Sequence, residues 1–80
     1  MSTPIFIELL GTRGCHLCDE AEQLMQAAAR ARRFDWRYVD IAEDDALLAR
    51  YGERIPVLRV GERELGWPFG LLDLLRLVGG

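Results

Sequence analysis

The amino-acid sequence predicts one α/β domain, residues 1–80, built from a four-stranded mixed sheet with helices on both faces. Apolar runs typical of strands alternate with runs of helical period, in the order β-α-β-α-β-β-α. The first strand–helix–strand unit must cross over with right-handed chirality, which makes its two strands parallel neighbours. The last two strands are two residues apart, which predicts a hairpin. Because so short a chain buries only about 60% of its unfolded surface, we expect a thin core.

The first strand and the first helix have the clearest patterns. The strand is the short apolar run at residues 5–10, closed by Gly11. The helix runs from residue 15 to about residue 33, with acidic residues in its first turns and arginines in its last, as the helix dipole favours. Its apolar residues recur every three or four positions and therefore line one face. That face consists of Leu17, Ala21, Leu24, Met25 and Ala28.

The next two elements follow without a linker. A second strand at residues 34–40 leads through a turn at residues 40–43 to a short helix at residues 44–51. Gly52 is expected to end this helix in the left-handed conformation. The helix residues expected to face inward are Ala46, Leu47 and Leu48.

The last third of the chain predicts the hairpin and a final helix. Strands at residues 55–60 and 63–65 flank the turn Gly61-Glu62. The helix is expected to start at Trp67-Pro68 and to end at Gly79-Gly80, in line with the positions that proline and glycine prefer. The residues of this region expected in or beside the core are Trp67, Phe69, Leu71, Leu72, Leu74, Leu75 and Val78.

Composition argues against two classes of partner. The net charge is −3 and no basic stripe is visible, so we expect no nucleic-acid partner. No apolar run approaches the roughly 18 residues of a membrane span. The first four residues carry no basic charge, and the apolar run behind them is too short for a secretion signal. We therefore expect a cytoplasmic protein without a membrane partner.

Both cysteines lie between the first strand and the first helix, spaced as Cys-His-Leu-Cys. Cys15 and Cys18 could exchange electrons, bind a metal or form a structural staple. A staple is disfavoured because structural disulfides are rare in the cytoplasm and so small a loop removes little unfolded-state entropy. Two cysteines and His16 fall short of a four-ligand site, although two copies of the chain could supply four thiolates. A redox pair is favoured, with a metal or iron–sulfur module and a non-catalytic interaction domain as the alternatives.

The position of the two cysteines predicts unequal roles for them. Cys15, at the first position of the helix, lies beside unpaired N–H groups that favour its thiolate and lower its pKa. Cys18 lies one turn further in and more buried, so it is expected to resolve the mixed disulfide that Cys15 forms with a substrate. Arg13 adds positive potential at Cys15. His16 would do the same if it were cationic, and is otherwise a solvated side chain.

Ile55-Pro56, at the start of the third strand, is the second candidate part of the site. A proline there cannot donate a ladder hydrogen bond. If the bond before Pro56 is cis, the bend presents the backbone of Ile55 to an extended peptide or to glutathione beside Cys15. An ordinary trans proline is the alternative, and the CxxC on the first strand–helix turn favours the cis form.

These segments resemble the thioredoxin superfamily and, within it, the small bacterial glutaredoxin-like proteins. CHLCDEA at residues 15–21 and RIPVL at residues 54–58 carry the resemblance most specifically, with further matches at residues 39–41 and 64–69. The resemblance implies a thioredoxin-like (glutaredoxin-like) fold, a cis bond before Pro56 and a redox-active disulfide between Cys15 and Cys18.

A thiol–disulfide oxidoreductase is therefore the expected function. The expected substrate is a disulfide-containing protein or a glutathione mixed disulfide, and a reductase is the expected electron donor. We expect a monomer with no tightly bound cofactor and no bound metal, and glutathione is a candidate reductant.

Overall fold

The computed structural model describes residues 6–32 and 34–79, and the side chains of the last helix as far as Leu77. Its elements follow the predicted order. In chain order they are β1 (Phe6–Gly11), α1 (His16–Ala31), β2 (Asp35–Asp40), a 3₁₀ turn (Ile41–Glu43), α2 (Asp45–Tyr51), β3 (Val57–Val60), β4 (Arg63–Gly66) and α3 (Leu71–Gly79). The predictions that fall outside the described residues and side chains concern Ile5, Arg33, Val78 and Gly80.

The four strands form one mixed sheet in the order β2-β1-β3-β4, which confirms the predicted fold. β1 and β2 are parallel, in register from Phe6 opposite Asp35 to Gly11 opposite Asp40. β3 runs antiparallel to β1, and β4 antiparallel to β3. The carboxyl end of β1 and the amino end of β3 therefore lie side by side in the centre of the sheet.

The hairpin turn has the predicted two residues. Val60 pairs with Arg63, which leaves Gly61 and Glu62 as the loop. Gly61 has a φ of +59°. The φ of Glu62 is not positive, since among the described residues only glycines have a positive φ. A positive φ at the first loop position alone is what a type II′ turn requires, and glycine meets it without a steric cost.

The sheet separates two apolar cores because neighbouring residues of a strand point to opposite faces. Helices α1 and α3 cover one face, and α2 with the 3₁₀ turn covers the other. The buried residues of the first core are Ile7, Leu9, Ala21, Met25, Ala28, Leu58, Phe69 and Leu74. The buried residues of the second core are Leu10, Ile41, Tyr51 and Val57.

Two predicted helix faces were partly wrong. On α1 the predicted face is buried at its centre, but Leu17 is 43% exposed because it is rotated about 100° round the helix from the buried Cys18. On α2, Ala46 and Leu48 are exposed, while Leu47 is half-buried and Tyr51 fully buried. A helix of two turns presents one stripe to the sheet, and the (i, i+4) pair Leu47 and Tyr51 forms it.

The end of α2 also differs from the prediction. Gly52 has a φ of −51° and a right-handed conformation. Its N–H donates to the Leu48 carbonyl, and the Arg54 N–H donates to the Tyr51 carbonyl, so the chain continues to turn right-handed beyond the helix. A left-handed terminator is therefore not needed there.

Helix α3 starts four residues later than predicted. The Asp73 carboxylate accepts the Gly70 N–H at 2.8 Å, and the Leu74 N–H donates to the Gly70 carbonyl. Such a side chain reaching back to the N-cap N–H starts a helix at the next residue, here Leu71. The predicted core positions Leu71 and Leu72 are 42% and 71% exposed, whereas Leu74 is fully buried.

The segment before α3 bends at Trp67 and Pro68 and is not helical. Phe69 is buried and Trp67 half-buried, and the two rings meet edge to face with their centroids 5.0 Å apart. The Trp67–Pro68 bond is cis, which the sequence did not predict. Within residues 6–32 and 34–79, no helix is both long enough and apolar enough to cross a membrane.

Candidate functional site

The loop between β1 and α1 holds Cys15 at the carboxyl end of β1. The Cys15 N–H donates to the Thr12 carbonyl at 3.3 Å, which closes a tight turn. Gly14 inside this turn has a φ of +88° and nothing within 4 Å of where a Cβ would lie. The need for glycine at this position is therefore conformational, since other residues would be strained at such a φ.

Cys15 is the N-cap of α1 rather than its first helical residue, one position outside the prediction. Its backbone is extended, and its Sγ accepts the Cys18 N–H at 3.2 Å. This is the position at which a capping side chain satisfies one of the free N–H groups of a helix. An anionic sulfur accepts such a bond more strongly than a neutral one, so the cap favours a thiolate at Cys15.

Cys15 and Cys18 are joined by a disulfide, with their Cα atoms 5.2 Å apart. That separation is ordinary for disulfides. The two sulfurs differ in exposure, because Cys18 is fully buried against the sheet whereas Cys15 is half-buried at the surface. An incoming thiol or disulfide therefore has access at Cys15.

Arg13 and His16 flank the disulfide in different ways. The Arg13 guanidinium lies 4.4 Å above the centre of the Tyr38 ring and 3.6 Å from the Glu22 carboxylate. Its positive charge is thus partly balanced by Glu22 rather than directed solely at Cys15. His16 is the exposed first residue of α1, between the two cysteines, where a bound substrate could reach it.

The Ile55–Pro56 bond is cis, as the resemblance implied. Leu10 pairs with Val57, so continuing the register by one residue places the buried Pro56 beside Gly11, at the end of β1. One of the two Ile55 backbone groups expected to face a substrate is already hydrogen-bonded, however. The Ile55 N–H already donates to the Tyr51 carbonyl at 3.1 Å, so the Ile55 carbonyl is the group left to pair with a substrate.

The surroundings of Cys18 were not predicted from the sequence. A Cβ built on Gly11 would lie 2.7 Å from Tyr38 Oη and 3.0 Å from Cys18 Sγ. The Tyr38 Oη is buried and has no hydrogen-bond partner among the described residues. The pattern of β2 identified Tyr38 as a strand residue, but the parallel register with β1 is needed to bring it to Cys18.

Burial, more than the charges around it, keeps the Tyr38 hydroxyl protonated. Burial raises the pKa of Tyr38, and the positive charge of Arg13 opposes that rise. The carboxylates of Glu22, Asp40 and Asp19 raise the pKa further. The hydroxyl therefore holds its proton at neutral pH.

A metal site would need more ligands than these cysteines provide. Across residues 6–32 and 34–79, no three or more His, Cys, Asp or Glu side chains are grouped so that they could hold an ion.

Comparison with protein-family models gives one match over nearly the whole chain. Residues 6–77 match the model of the glutaredoxin-like domain (DUF836). A comparison with curated proteins gives no match.

Several solved structures are similar to this chain. The X-ray structure of protein XcR50 from X. campestris is 40% identical, with a TM-score of 0.77 over 91% of this chain and 95% of that one. Protein Ne2328 from Nitrosomonas europaea is 25% identical, with a TM-score of 0.73 over 86% of this chain and 85% of that one.

A third structure bears on the fold alone. Thioredoxin 1 from Thermosipho africanus is 15% identical, with a TM-score of 0.70 over 92% of this chain and 90% of that one. The family match shows that this chain belongs to the glutaredoxin-like domain family (DUF836), and the likeness to thioredoxin 1 shows that its fold is thioredoxin-like.

Proposed function

We propose that the protein is a thiol–disulfide oxidoreductase in which Cys15 is the nucleophile and Cys18 the resolving thiol. The capped sulfur of Cys15 is the observation that carries this proposal. It is half-buried at a helix N-terminus, accepts the Cys18 N–H and is bonded to a fully buried second sulfur. Such a pair combines an accessible, thiolate-favouring cysteine with a shielded partner, which is the asymmetry that dithiol exchange uses.

The reaction transfers two electrons to the substrate. The Cys15 thiolate attacks one sulfur of a substrate disulfide, forms a mixed disulfide and releases the other substrate sulfur as a thiolate, which takes up a proton from water. The Cys18 thiolate then attacks Cys15 Sγ, displaces the second substrate thiolate and closes the Cys15–Cys18 disulfide. External thiols or a reductase return two electrons and two protons to complete the cycle.

The surroundings of Cys15 support a substrate that carries an extended backbone. The Ile55 carbonyl, next to the cis bond before Pro56, can accept an N–H from a disulfide-containing protein or from a glutathione mixed disulfide. We propose that Arg13 and the exposed His16, which flank the disulfide, contact an anionic group of that substrate. We further propose that the protein acts as a cytoplasmic monomer, with glutathione or a reductase as the electron donor and no resident cofactor.

A coupled assay tests the function and identifies the donor. The oxidised protein is offered glutathione with glutathione reductase, or thioredoxin reductase alone, in the presence of a small disulfide, and NADPH consumption is followed. We expect turnover with one donor, its loss to background in Cys15→Ser, and accumulation of a mixed disulfide on Cys15 in Cys18→Ser. Equal rates for the unaltered protein and for Cys15→Ser would refute the proposal.

A further inference from the structure

The hydroxyl of Tyr38 is the buried polar group that the proposed reaction does not yet use. Its Oη is buried and has no hydrogen-bond partner among the described residues. Leaving a buried donor unpaired is costly, and native proteins rarely do so without a reason. A group that is unpaired in the disulfide form is a candidate to pair with something that appears in the dithiol form.

The sulfur of Cys18 is the neighbour that changes between the two forms. Tyr38 Oη and Cys18 Sγ both lie close to the point that a Cβ on Gly11 would occupy. Tyr38 Oη is 2.7 Å from that point and Cys18 Sγ is 3.0 Å from it. The two atoms are therefore no further apart than the sum of those distances. The absence of a side chain at Gly11 leaves this space open to them.

The Tyr38 ring is held in place by its strand pairing and by a side chain of the β1–α1 loop. Tyr38 pairs with Leu9 on the α1 face of the sheet, and the Arg13 guanidinium lies 4.4 Å above its ring. Arg13 is itself 3.6 Å from Glu22 on α1. The hydroxyl thus has a defined position beside the buried end of the disulfide.

We propose that Tyr38 is a positioning residue for Cys18, whose hydroxyl donates a hydrogen bond to the Cys18 thiolate when the disulfide is open. This inference rests on the proposed oxidoreductase function. In the disulfide, Cys18 Sγ is uncharged and a weak acceptor, so the hydroxyl has little to bind. When the S–S bond breaks, or when the reduced Cys18 thiol loses its proton, the same sulfur is a buried thiolate, for which an O–H donor is a strong partner.

The hydrogen bond would assist the reaction in both directions. When an external thiolate attacks Cys15, the S–S bond breaks and Cys18 leaves with the electron pair as a thiolate, which the Tyr38 hydroxyl stabilises. When Cys18 resolves a mixed disulfide, it must first lose its proton to water, and the same donor lowers the pKa of that thiol. Tyr38 keeps its own proton throughout.

The charges that face Tyr38 are compatible with this role. Arg13 contacts it from the β1–α1 loop, Asp19 and Glu22 act from α1, and Asp40 acts from β2. Burial raises the pKa of Tyr38 in spite of Arg13, so the hydroxyl remains a donor over the range in which thiols titrate.

The pKa of Cys18 tests the inference without requiring enzyme activity. In a Cys15→Ser background, the ultraviolet absorbance of the Cys18 thiolate is titrated with and without Tyr38→Phe. We expect Tyr38→Phe to raise the pKa of Cys18 by about one unit, since a hydrogen bond to a charged group is lost. Tyr51→Phe, which removes a hydroxyl bonded to Glu64 instead, is the matched control and should leave it unchanged.

An unchanged or lowered pKa of Cys18 in Tyr38→Phe would overturn the inference. If that variant does not fold, a ring-fluorinated tyrosine at position 38 keeps the shape and strengthens the donor. It should lower the pKa of Cys18, and an unchanged value would again overturn the inference.

Kinetics then separates this role from the proposed function itself. In the two-cysteine protein, Tyr38→Phe should slow reduction of the Cys15–Cys18 disulfide by about tenfold. In a Cys18→Ser background, the first attack by Cys15 should be unaffected. If the protein shows no turnover but Tyr38→Phe still shifts the pKa of Cys18, the oxidoreductase function is refuted and the Tyr38–Cys18 hydrogen bond stands. If turnover is normal and the pKa of Cys18 does not shift, the hydrogen bond is refuted and the oxidoreductase function stands.

Discussion

Gly14 shows how one residue positions the nucleophile. Its φ of +88° turns the chain so that Cys15 arrives at the N-cap of α1 with its sulfur over the Cys18 N–H. A side chain at this position would have ample space. Glycine is therefore required by the backbone conformation and not by contact with neighbouring atoms. Gly11 is the opposite case, since a side chain there would meet Tyr38 and Cys18.

Replacing Gly14 tests the conformational constraint. We expect Gly14→Ala to lower the free energy of unfolding by about 1–3 kcal/mol, the cost of holding a non-glycine residue at an unfavourable φ. The reaction of Cys15 with iodoacetamide in the reduced protein should also slow, because the cap is disturbed. Gly66→Ala, where a Cβ has open space and φ is not positive, is the control and should change neither measurement. Equal effects of the two substitutions would contradict the explanation.

Replacing Gly11 tests the close approach beneath the disulfide. A Cβ there meets Tyr38 Oη at 2.7 Å and Cys18 Sγ at 3.0 Å, so one of the two must move. We expect Gly11→Ala to cost about 1–3 kcal/mol by overpacking, as measured by denaturant unfolding of the oxidised protein. Combining it with Tyr38→Phe should recover part of the loss, since the oxygen that the methyl group meets is gone. Strict additivity of the two changes would contradict this account.

At the scale of the elements, the short helix α2 leaves part of one sheet face to charged side chains. The register aligns one residue from each strand in a row of alternating charge. In sheet order this row is Arg37, Glu8, Arg59 and Glu64. The Glu8 carboxylate accepts from Arg37 at 3.0 Å and from Arg59 at 2.9 Å, so its two oxygens join three strands.

The pH dependence of stability tests the contribution of Glu8. Burial raises its pKa, but the hydrogen bonds and charges of Arg37 and Arg59 outweigh burial and hold it below the usual value. A lowered folded-state pKa stabilises the protein above the unfolded pKa of about 4.3, and this stability is lost as pH falls through the folded value. At neutral pH we expect Glu8→Gln to cost about 1 kcal/mol in the free energy of unfolding.

The difference between Glu8→Gln and the unaltered protein should shrink as the pH falls from the unfolded pKa of about 4.3 through the folded-state pKa of Glu8, because below the latter Glu8 is protonated in both states. Urea unfolding at several pH values measures it. Glu62→Gln, in the exposed hairpin turn, is the control and should cost nothing at either pH. A cost of Glu8→Gln that is independent of pH would show that the carboxylate charge is not responsible.

For the whole molecule, local patterns predicted the element order, the mixed sheet and the cysteine pair. The right-handed crossover placed β1 beside β2, and the two-residue spacing of the hairpin placed β4 beside β3. The resemblance implied the cis bond before Pro56. These features depend on short stretches of chain or on general rules of topology, which a single sequence carries.

The features that the sequence missed depend on tertiary contacts. Leu48 and Leu72 are large apolar residues of the kind found in cores, but both are exposed. Packing decides which stripe of a short helix faces the sheet. The start of α3 is the exception, because it depends on a local contact between Gly70 and Asp73, three residues apart. The approach of Tyr38 to Cys18 requires two strands in register and a helix above them, so no local pattern predicts it.

The reduction potential of the Cys15–Cys18 pair tests the central claim most directly. The oxidised and reduced forms are equilibrated in glutathione buffers, and the fraction of disulfide is measured after trapping the free thiols. A pair that exchanges electrons with cellular thiols should titrate at about −180 to −270 mV. A potential below about −300 mV, which is typical of structural disulfides, would contradict the claim.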